Sequence, residues 1–159
     1  MQTQSIDTPL AEITLRRYEK PYNLSKRELV RKLCLSLGLL NPGDSRDVIV
    51  DVFYVLLEAR KEQKKLSSDE VRQEVIALRK AEKLDDYGTA GSNIRRQIRR
   101  LREIHLVEKI KNDYRITEFT ELSTIFNEKV EKFIIPSIIE RTKDYLKSVD
   151  ESFKKKEEM

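Results

Sequence analysis

The sequence predicts a mainly α-helical fold with one small β-hairpin. Four glycines and four prolines in 159 residues are few for the many turns of an all-β protein, and they favour long helices. Apolar residues recur three or four positions apart over most of the chain, which is typical of helices with one buried face. Residues 107–117 instead have the pattern of two short strands, directly after an arginine-rich helix. The rest of the chain is organised around this helix and hairpin, residues 88–117.

The first 43 residues are expected to hold one strand and one helix. Ala11–Tyr18 alternates apolar and polar side chains, which predicts a strand. Ser25 and Glu28 are spaced as a capping box that opens the helix. Cys34 lies in this helix and is expected to be a small core residue rather than a nucleophile. The predicted buried face of the helix consists of Leu29, Leu33 and Leu37.

Two further helices are predicted over residues 44–65 and 68–82. Asp44 or Ser45 is expected to cap the first, and a second capping box at Ser67–Glu70 opens the next. The first has apolar residues on two adjoining faces, so we expect it to be central and contacted from two sides. Its apolar positions are Val48, Val52, Val55, Leu56 and Ala59, with Ile49, Phe53 and Leu57 beside them. The second has a single stripe, consisting of Val71, Val75, Leu78 and Ala81.

The helix over residues 92–105 separates an apolar face from a strongly basic one. Its predicted buried positions are Ile94, Ile98, Leu101 and His105. The opposite face is expected to carry Ser92, Arg96, Arg99, Arg100 and Glu103, with Arg95 and Arg102 at its flanks. Residues 92–115 hold eight basic and three acidic side chains, a net charge of +5, whereas the whole chain carries +4. The positive charge is therefore a local patch that suits phosphates or the acceptor edge of guanine.

The hairpin has two plausible registers, and the loop length decides between them. Its strands are predicted at Val107–Lys111 and Tyr114–Thr117. A two-residue Asn-Asp loop would set Ile110 opposite Arg115, which places apolar and basic side chains on the same face of the hairpin. A three-residue loop sets Ile110 opposite Tyr114. The second register is favoured because it gathers Ile110, Tyr114 and Ile116 on one face and Lys109, Lys111 and Arg115 on the other.

About thirty residues of this region resemble the second half of a winged helix-turn-helix domain, in which a recognition helix is followed by a hairpin called the wing. The matching residues are Ile94, Ile98, Leu101, Leu106, Val107, Glu108, Lys109 and Tyr114 through Thr117. The chain departs from the superfamily at His105, where relatives usually carry glycine, and in the long link over residues 83–91. The resemblance implies a DNA-binding protein of the transcriptional-regulator type. It divides the chain into an N-terminal extension (1–43), a winged-helix domain (44–117) and a C-terminal helical region (118–159).

The C-terminal region is predicted to be helical, with Pro136 kinking or dividing the helix. An apolar row beyond this proline has no obvious cover in a small domain. We therefore expect a homodimer whose seam contains Ile139, Leu146, Val149 and Phe153. The alternative is a helix that folds back on its own domain.

The predicted function is double-stranded DNA binding, with the 92–105 helix in the major groove and the wing on the backbone. The expected contacts are Ser92, Asn93, Arg95, Arg96, Arg99 and Arg100 on the helix and Lys109, Lys111 and Arg115 on the wing. One alternative is that these arginines only solvate an exposed helix, but a single glutamate, Glu103, is interspersed among them. The other is a winged-helix module that binds a protein partner in a transcription, replication or RNA-processing complex.

Other classes of function lack their signatures. One histidine and one cysteine exclude a Cys/His zinc site within one chain, and no catalytic constellation is visible, so we expect neither enzyme activity, cofactor nor metal. Asp85-Asp86 is expected to form a loop turn.

The absence of a signal pattern and of a long apolar run predicts a cytoplasmic protein, and the Lys-, Glu-, Arg- and Ile-rich composition suits a thermophile. The N-terminal extension leaves room for a regulatory ligand, which nothing in it names.

Overall fold

A computed structural model describes residues 6–156 and bears out the mainly helical fold, with a small three-stranded antiparallel sheet and a long C-terminal helix. None of the helices in residues 6–156 combines the length and apolar composition needed to cross a membrane. The elements are α1 (Lys26–Ser36), α2 (Val48–Lys61), β1 (Leu66–Ser67), α3 (Ser68–Ala81), α4 (Gly91–Glu103), β2 (Val107–Ile110), β3 (Asp113–Ile116), α5 (Leu122–Ile125), a π-helical segment (Phe126–Ile134) and α6 (Ile135–Ser152).

Helix α2 lies at the centre of the core, as its two apolar faces predict. It packs against α1, α3, α4 and β3, and residues 48–53 are all buried. The helix begins at Val48 with Asp47 as its N-cap, so the prediction of Asp44 or Ser45 as the cap is wrong. The Asp44 carboxylate instead accepts a hydrogen bond from Arg46 N in the preceding turn. The turn therefore uses the side chain that was expected to cap the helix.

The predicted strand over Ala11–Tyr18 is wrong, because none of these described residues belongs to a strand. The segment runs in an irregular conformation along the end of α1. Arg16 N donates to Ser36 O at 2.8 Å, and the Arg16 guanidinium donates to Leu35 O at 2.9 Å and to Leu40 O at 3.1 Å. The polar groups of the segment thus bind the carbonyl end of a helix instead of a strand ladder.

Helix α1 buries a different face from the one predicted. Ser25 caps it by accepting from Glu28 N, but the fully buried residues are Cys34 and Leu35, while Leu29 is 46% exposed. Cys34 and Leu35 belong to the same core cluster as the residues of α2, and Leu33 and Leu37 pack at its edge. Cys34 has no exposed surface, which confirms its place in the core, and this burial raises the pKa of its thiol to about 12.

The sheet has the order β1–β3–β2, and its outer strand β1 was not predicted. Two residues are too few to show an alternating pattern. Leu66 pairs with Tyr114, and Ser67 both ends the strand and caps α3. The capping box here is confirmed, since Ser67 Oγ accepts from Glu70 N at 3.2 Å and Ser67 N donates to Glu70 Oε1 at 3.0 Å.

The predicted three-residue loop of the hairpin is also wrong. Lys109 faces Tyr114 and Glu108 faces Arg115, so the loop consists of the two residues after Ile110. Ile110 pairs with Asp113 and points away from the core, whereas Val107, Tyr114 and Ile116 are buried. Burying Val107 together with Tyr114 and Ile116 fixes this register, because side chains directly opposite each other share a face.

His105 is exposed, which corrects its predicted place on the apolar face of the helix. Helix α4 ends at Glu103, and His105 follows in the left-handed region with φ +65°. His105 N donates to Arg102 O at 2.9 Å and Leu106 N donates to Leu101 O at 3.1 Å, the pattern of a Schellman motif. The histidine therefore occupies the position that glycine usually takes at a helix end.

The C-terminal helix continues through Pro136 rather than being broken there. Ile125, Phe126, Ile134 and Ile135 all have right-handed helical dihedral angles, so α5, the π-helical segment and α6 form one unbroken helix. Hydrogen bonding changes from π to α beside the proline, which supplies no N–H. No residue of α6, all of which is described, is buried, so the helix is not folded back on its own domain.

Candidate nucleic-acid interface

Helix α4 is held in place by the apolar stripe that its spacing predicts. Ile94, Ile98 and Leu101 are at most 1% exposed and face the core beneath α2 and α3. Ala90 is the N-cap of α4, and none of the described side chains forms a capping hydrogen bond there. Burial of this stripe fixes the rotation of the helix, and hence the direction in which its arginines project.

The arginines of α4 and the β2–β3 hairpin enclose a basic hollow. It has a volume of about 460 Å³, and within residues 6–156 its lining contains no acidic side chain. Five cationic side chains meet in this space, and no carboxylate among the described residues lines it, so their field is concentrated there. The lining consists of Ser92, Arg95, Arg96, Arg99 and Arg102 from α4, Lys109 and Tyr114 from the hairpin, and Ile98 at the base.

Lys109 enters the basic hollow because of the observed register. It lies opposite Tyr114, so its side chain shares the face that looks towards α4. Its Nζ is 5.9 Å from the centroid of the Tyr114 ring, which is itself mostly buried. The aromatic ring holds the ammonium group beside the arginines by a cation–π contact.

Two other predicted hairpin contacts lie apart from Lys109. The Arg115 side chain is on the opposite face of the sheet, where its Nε donates to Glu108 Oε2 at 2.8 Å and its guanidinium lies 4.8 Å from the Phe119 ring centroid. Its charge is therefore partly neutralised within the chain. Lys111 is exposed in the hairpin loop with φ +58° and does not line the hollow.

Asn93 and Arg100 form part of a hydrogen-bonded row along one flank of α4. Asn93 Nδ2 donates to Gly88 O at 2.7 Å, and its Oδ1 accepts from Gln97 Nε2 at 3.0 Å. Arg100 in turn donates to Gln97 Oε1 at 3.0 Å. The row fastens α4 to the preceding loop, which gives both predicted contact residues a structural task.

Arg102 belongs to the basic hollow although it was not among the predicted contacts. Ser92, Arg95, Arg99 and Arg102 lie three or four positions apart, which places them on one side of a helix. This spacing in the sequence was therefore enough to group Arg102 with the other three residues. The predicted basic face was centred about one position away, at Arg96 and Arg100, and so left Arg102 at its edge.

A cluster of charged side chains supports the loop that leads into α4. Asp51 is fully buried on α2, and both of its oxygens accept hydrogen bonds: Oδ1 from Arg27 Nε at 2.8 Å, and Oδ2 from Arg79 Nη1 at 2.6 Å. Arg79 also donates to Asp85 O at 2.6 Å. The ionic cluster therefore links α1, α2, α3 and the loop before α4. Its members are Arg27, Asp47, Asp51, Arg79 and Asp85.

Hydrogen bonds within this cluster favour the charged forms of Asp47 and Arg79. Burial by itself would raise the pKa of Asp47, but hydrogen bonds from Arg27 and Arg79 outweigh burial and lower it. For Arg79, burial opposes the charge, while Asp51 and Asp47 raise its pKa further above the ordinary arginine value. Asp47 and Arg79 are therefore charged at neutral pH. One aspartate, Asp51, in the otherwise apolar stretch 48–57 was the sequence signal for the cluster.

The loop itself agrees with the prediction that Asp85-Asp86 forms a turn. Asp85 Oδ1 accepts from Tyr87 N at 3.1 Å, and Thr89 Oγ1 donates to Asp86 O at 2.7 Å. Arg72 Nε donates to Thr89 O at 2.7 Å, which ties the loop to α3. Among residues 6–156, no group of three or more His, Cys, Asp or Glu side chains is placed to hold a metal ion.

Comparison of the chain with protein-family models, with curated proteins and with solved structures gives no match.

Proposed function

We propose that this protein binds double-stranded DNA through α4 and the β2–β3 hairpin, as a winged-helix transcriptional regulator. The observation that carries this proposal is the basic hollow, in which four arginines and one lysine converge and to which no described residue contributes a carboxylate. The order of elements supports it as well, since three packed helices, α2 to α4, are followed directly by a hairpin. In this assignment α4 is the recognition helix and the hairpin is the wing.

Each class of cation in the hollow suits a different part of the duplex. The guanidinium groups of Arg95, Arg96 and Arg99 are exposed and have planar donor sets that match phosphate or the O6 and N7 edge of guanine. Lys109 provides a point charge, which suits a backbone phosphate. Ser92 lies in the first turn of α4, where backbone N–H groups favour an anion.

The second part of the proposal is a homodimer joined through the C-terminal helix. Its apolar side chains are largely exposed: Ile139 by 48%, Leu146 by 60%, Val149 by 55% and Phe153 by 85%. Leaving such a row in water costs roughly 25 cal/mol for each Å² of apolar surface. A two-fold dimer would present two recognition helices to one duplex and favour a near-palindromic site.

Selection from genomic DNA fragments tests the function directly. The purified full-length protein is mixed with random fragments, and the retained fragments are sequenced. Enrichment of one motif supports the proposal, and an inverted repeat within it supports the dimer. Retention of no DNA at low salt contradicts the proposal and favours a winged-helix module for a protein partner, since non-specific duplex binding is strongest at low ionic strength.

Arg96→Ala and Arg99→Ala should each weaken duplex binding by about 1–3 kcal/mol, because each removes one guanidinium from a base edge or phosphate. Both side chains are exposed on α4, so the melting temperature should stay nearly unchanged. Binding is measured by fluorescence anisotropy and stability by calorimetry. Arg17→Ala, at an exposed arginine of the N-terminal segment, is the charge-matched control and should keep full affinity. Equal losses at Arg17 and Arg99 would contradict a localised site.

Lys109→Ala should reduce affinity for all duplexes alike. It should also lower the number of counterions released on binding by about one, as expected for a lost phosphate contact. Lys111→Ala should have the same kind of effect from the exposed loop. The measurement is the slope of the logarithm of affinity against the logarithm of salt concentration. Lys129→Ala, on the exposed side of the C-terminal helix, is the control and should leave the slope unchanged. A changed sequence preference with an unchanged slope would mean that the wing reads bases.

A further inference from the structure

An apolar groove lies beside α1, and nothing in residues 6–156 fills it. It has a volume of about 520 Å³ and lies between the N-terminal segment, α1 and α2. Tyr22 and Leu29 on its walls are 58% and 46% exposed, so the groove leaves apolar surface in water. We call it the tyrosine groove, and its main lining residues are Tyr18, Tyr22, Leu29, Tyr54, Leu57 and Leu122.

The C-terminal helix starts at this groove and leads away from it. Leu122 lines the groove and is the first residue of the unbroken helix that ends at Ser152. Phe153 follows 31 residues after Leu122, which corresponds to roughly 45 Å at 1.5 Å per residue. A bend at Pro136 does not reverse a helix. The exposed end of α6 therefore cannot reach the groove of its own chain.

The end of α6 can reach the groove of a second chain if the two helices run antiparallel. A two-fold axis near the middle of the helices places the end of one beside the start of the other, and it does so twice. Val149 and Phe153 of one chain then lie beside Leu122 of its partner, at the mouth of the tyrosine groove. Two exposed apolar surfaces of the monomer would be covered by one symmetric arrangement.

The rim of the groove is basic, and two carboxylates of α6 lie between Val149 and Phe153. Five basic side chains and two acidic ones surround the groove, a net charge of +3. Lys147 and the lysines at 154–156 flank these two carboxylates, and Lys154 Nζ pairs with Glu151 Oε1 at 3.3 Å. Among the described residues Asp150 has no ion-pair partner, so it is the carboxylate that can meet the basic rim. The charged residues around the groove are Lys20, Lys26, Lys32, Arg60 and Lys61, with Glu19 and Glu58.

We propose that each tyrosine groove receives the end of α6, centred on Val149 and Phe153, from a second copy of this chain, with the two C-terminal helices antiparallel. This inference rests on the homodimer of the proposed function and adds to it the second surface and the direction of the helices. It also makes α1 part of the interface, so that the dimer contact and the ionic cluster share one helix.

Cysteine cross-linking of the full-length protein tests the arrangement. Cys34 is buried and its thiol pKa is raised to about 12, so introduced cysteines react without a background from it. The variant carrying both Tyr22→Cys and Phe153→Cys should form a covalent dimer on copper-phenanthroline oxidation, seen on a non-reducing gel. Phe153→Cys alone should remain monomeric on that gel. The matched control joins Phe153→Cys with Tyr87→Cys, since Tyr87 is 78% exposed but lies in the loop before α4, and it should not cross-link.

The outcomes separate this inference from the dimer itself. Rapid cross-linking of Phe153→Cys alone would mean parallel helices, which overturns the groove arrangement and keeps the dimer. A monomer by light scattering at micromolar concentration would overturn both. As a second measurement, Leu29→Arg should raise the dimer dissociation constant at least tenfold with unchanged helix content, because Leu29 is half-exposed in the groove wall. An unchanged dissociation constant would likewise overturn the inference.

Discussion

Asp51→Ala should lower the free energy of unfolding by about 3–5 kcal/mol, because it leaves two arginines in the ionic cluster without their buried partner. Asp51 has no exposed surface, and Arg79, which donates to it at 2.6 Å, is 3% exposed. The cost is the desolvation of guanidinium groups that no longer meet a carboxylate. Urea unfolding followed by circular dichroism measures the change.

Two further variants identify the source of that loss. Asp51→Asn keeps the shape of the side chain and removes its charge, so it should lose a large part of the same stability. Asp86→Ala lies beside the cluster in an exposed loop position and should change stability by no more than about 0.5 kcal/mol. If Asp51→Ala cost less than Asp86→Ala, the ionic cluster would not be what joins α1, α2 and α3.

Gly38→Ala should lower the free energy of unfolding by about 2–4 kcal/mol, from backbone strain and from a steric clash together. Gly38 follows α1 with φ +71°, a region that favours glycine. A Cβ atom there would lie 2.5 Å from Thr14 Cβ, so the N-terminal segment would have to move away from the end of α1. Thermal and urea unfolding both report the change.

Gly43→Ala separates the contribution of backbone strain from that of the steric clash. Gly43 has a similar φ of +77°, but a Cβ atom there would meet nothing within 4 Å. Its replacement should therefore cost only the strain, about 1 kcal/mol. Adding Thr14→Gly to Gly38→Ala should recover part of the excess. Equal losses at Gly38 and Gly43 would show that the N-terminal segment does not pack closely on α1.

Local patterns in the sequence determined the elements whose periodicity is strong. The stripe of Ile94, Ile98 and Leu101 predicted both the helix and its buried face, since a helix that must hide three large apolar side chains has one possible rotation. The central place of α2 and the capping box at Ser67 followed in the same way. These features depend on residues within one or two turns of each other.

The candidate interface was predictable in part. Arginine spacing along α4 indicated a basic face. The hairpin side chains that join the basic hollow depended on the register, because a shift of one residue moves every side chain of a strand to the other face of the sheet. Packing of Val107, Tyr114 and Ile116 against the core chose the register in which Lys109 faces α4 and Arg115 pairs with Glu108. No local pattern in the sequence shows that Lys109, rather than Arg115, is the residue that faces α4.

The sequence by itself therefore determined where the helices lie along the chain and that residues 92–115 carry the positive charge. Only the tertiary structure decided which cations share one hollow, which strand pairs with β3, and which charges are buried together. The reason is distance along the chain: Arg27, Asp51 and Arg79 meet over separations of 24 and 28 residues, and their contact depends on how three helices pack. Helix periodicity fixes the faces of each element, whereas the partners of those faces are set by the packing of the whole core.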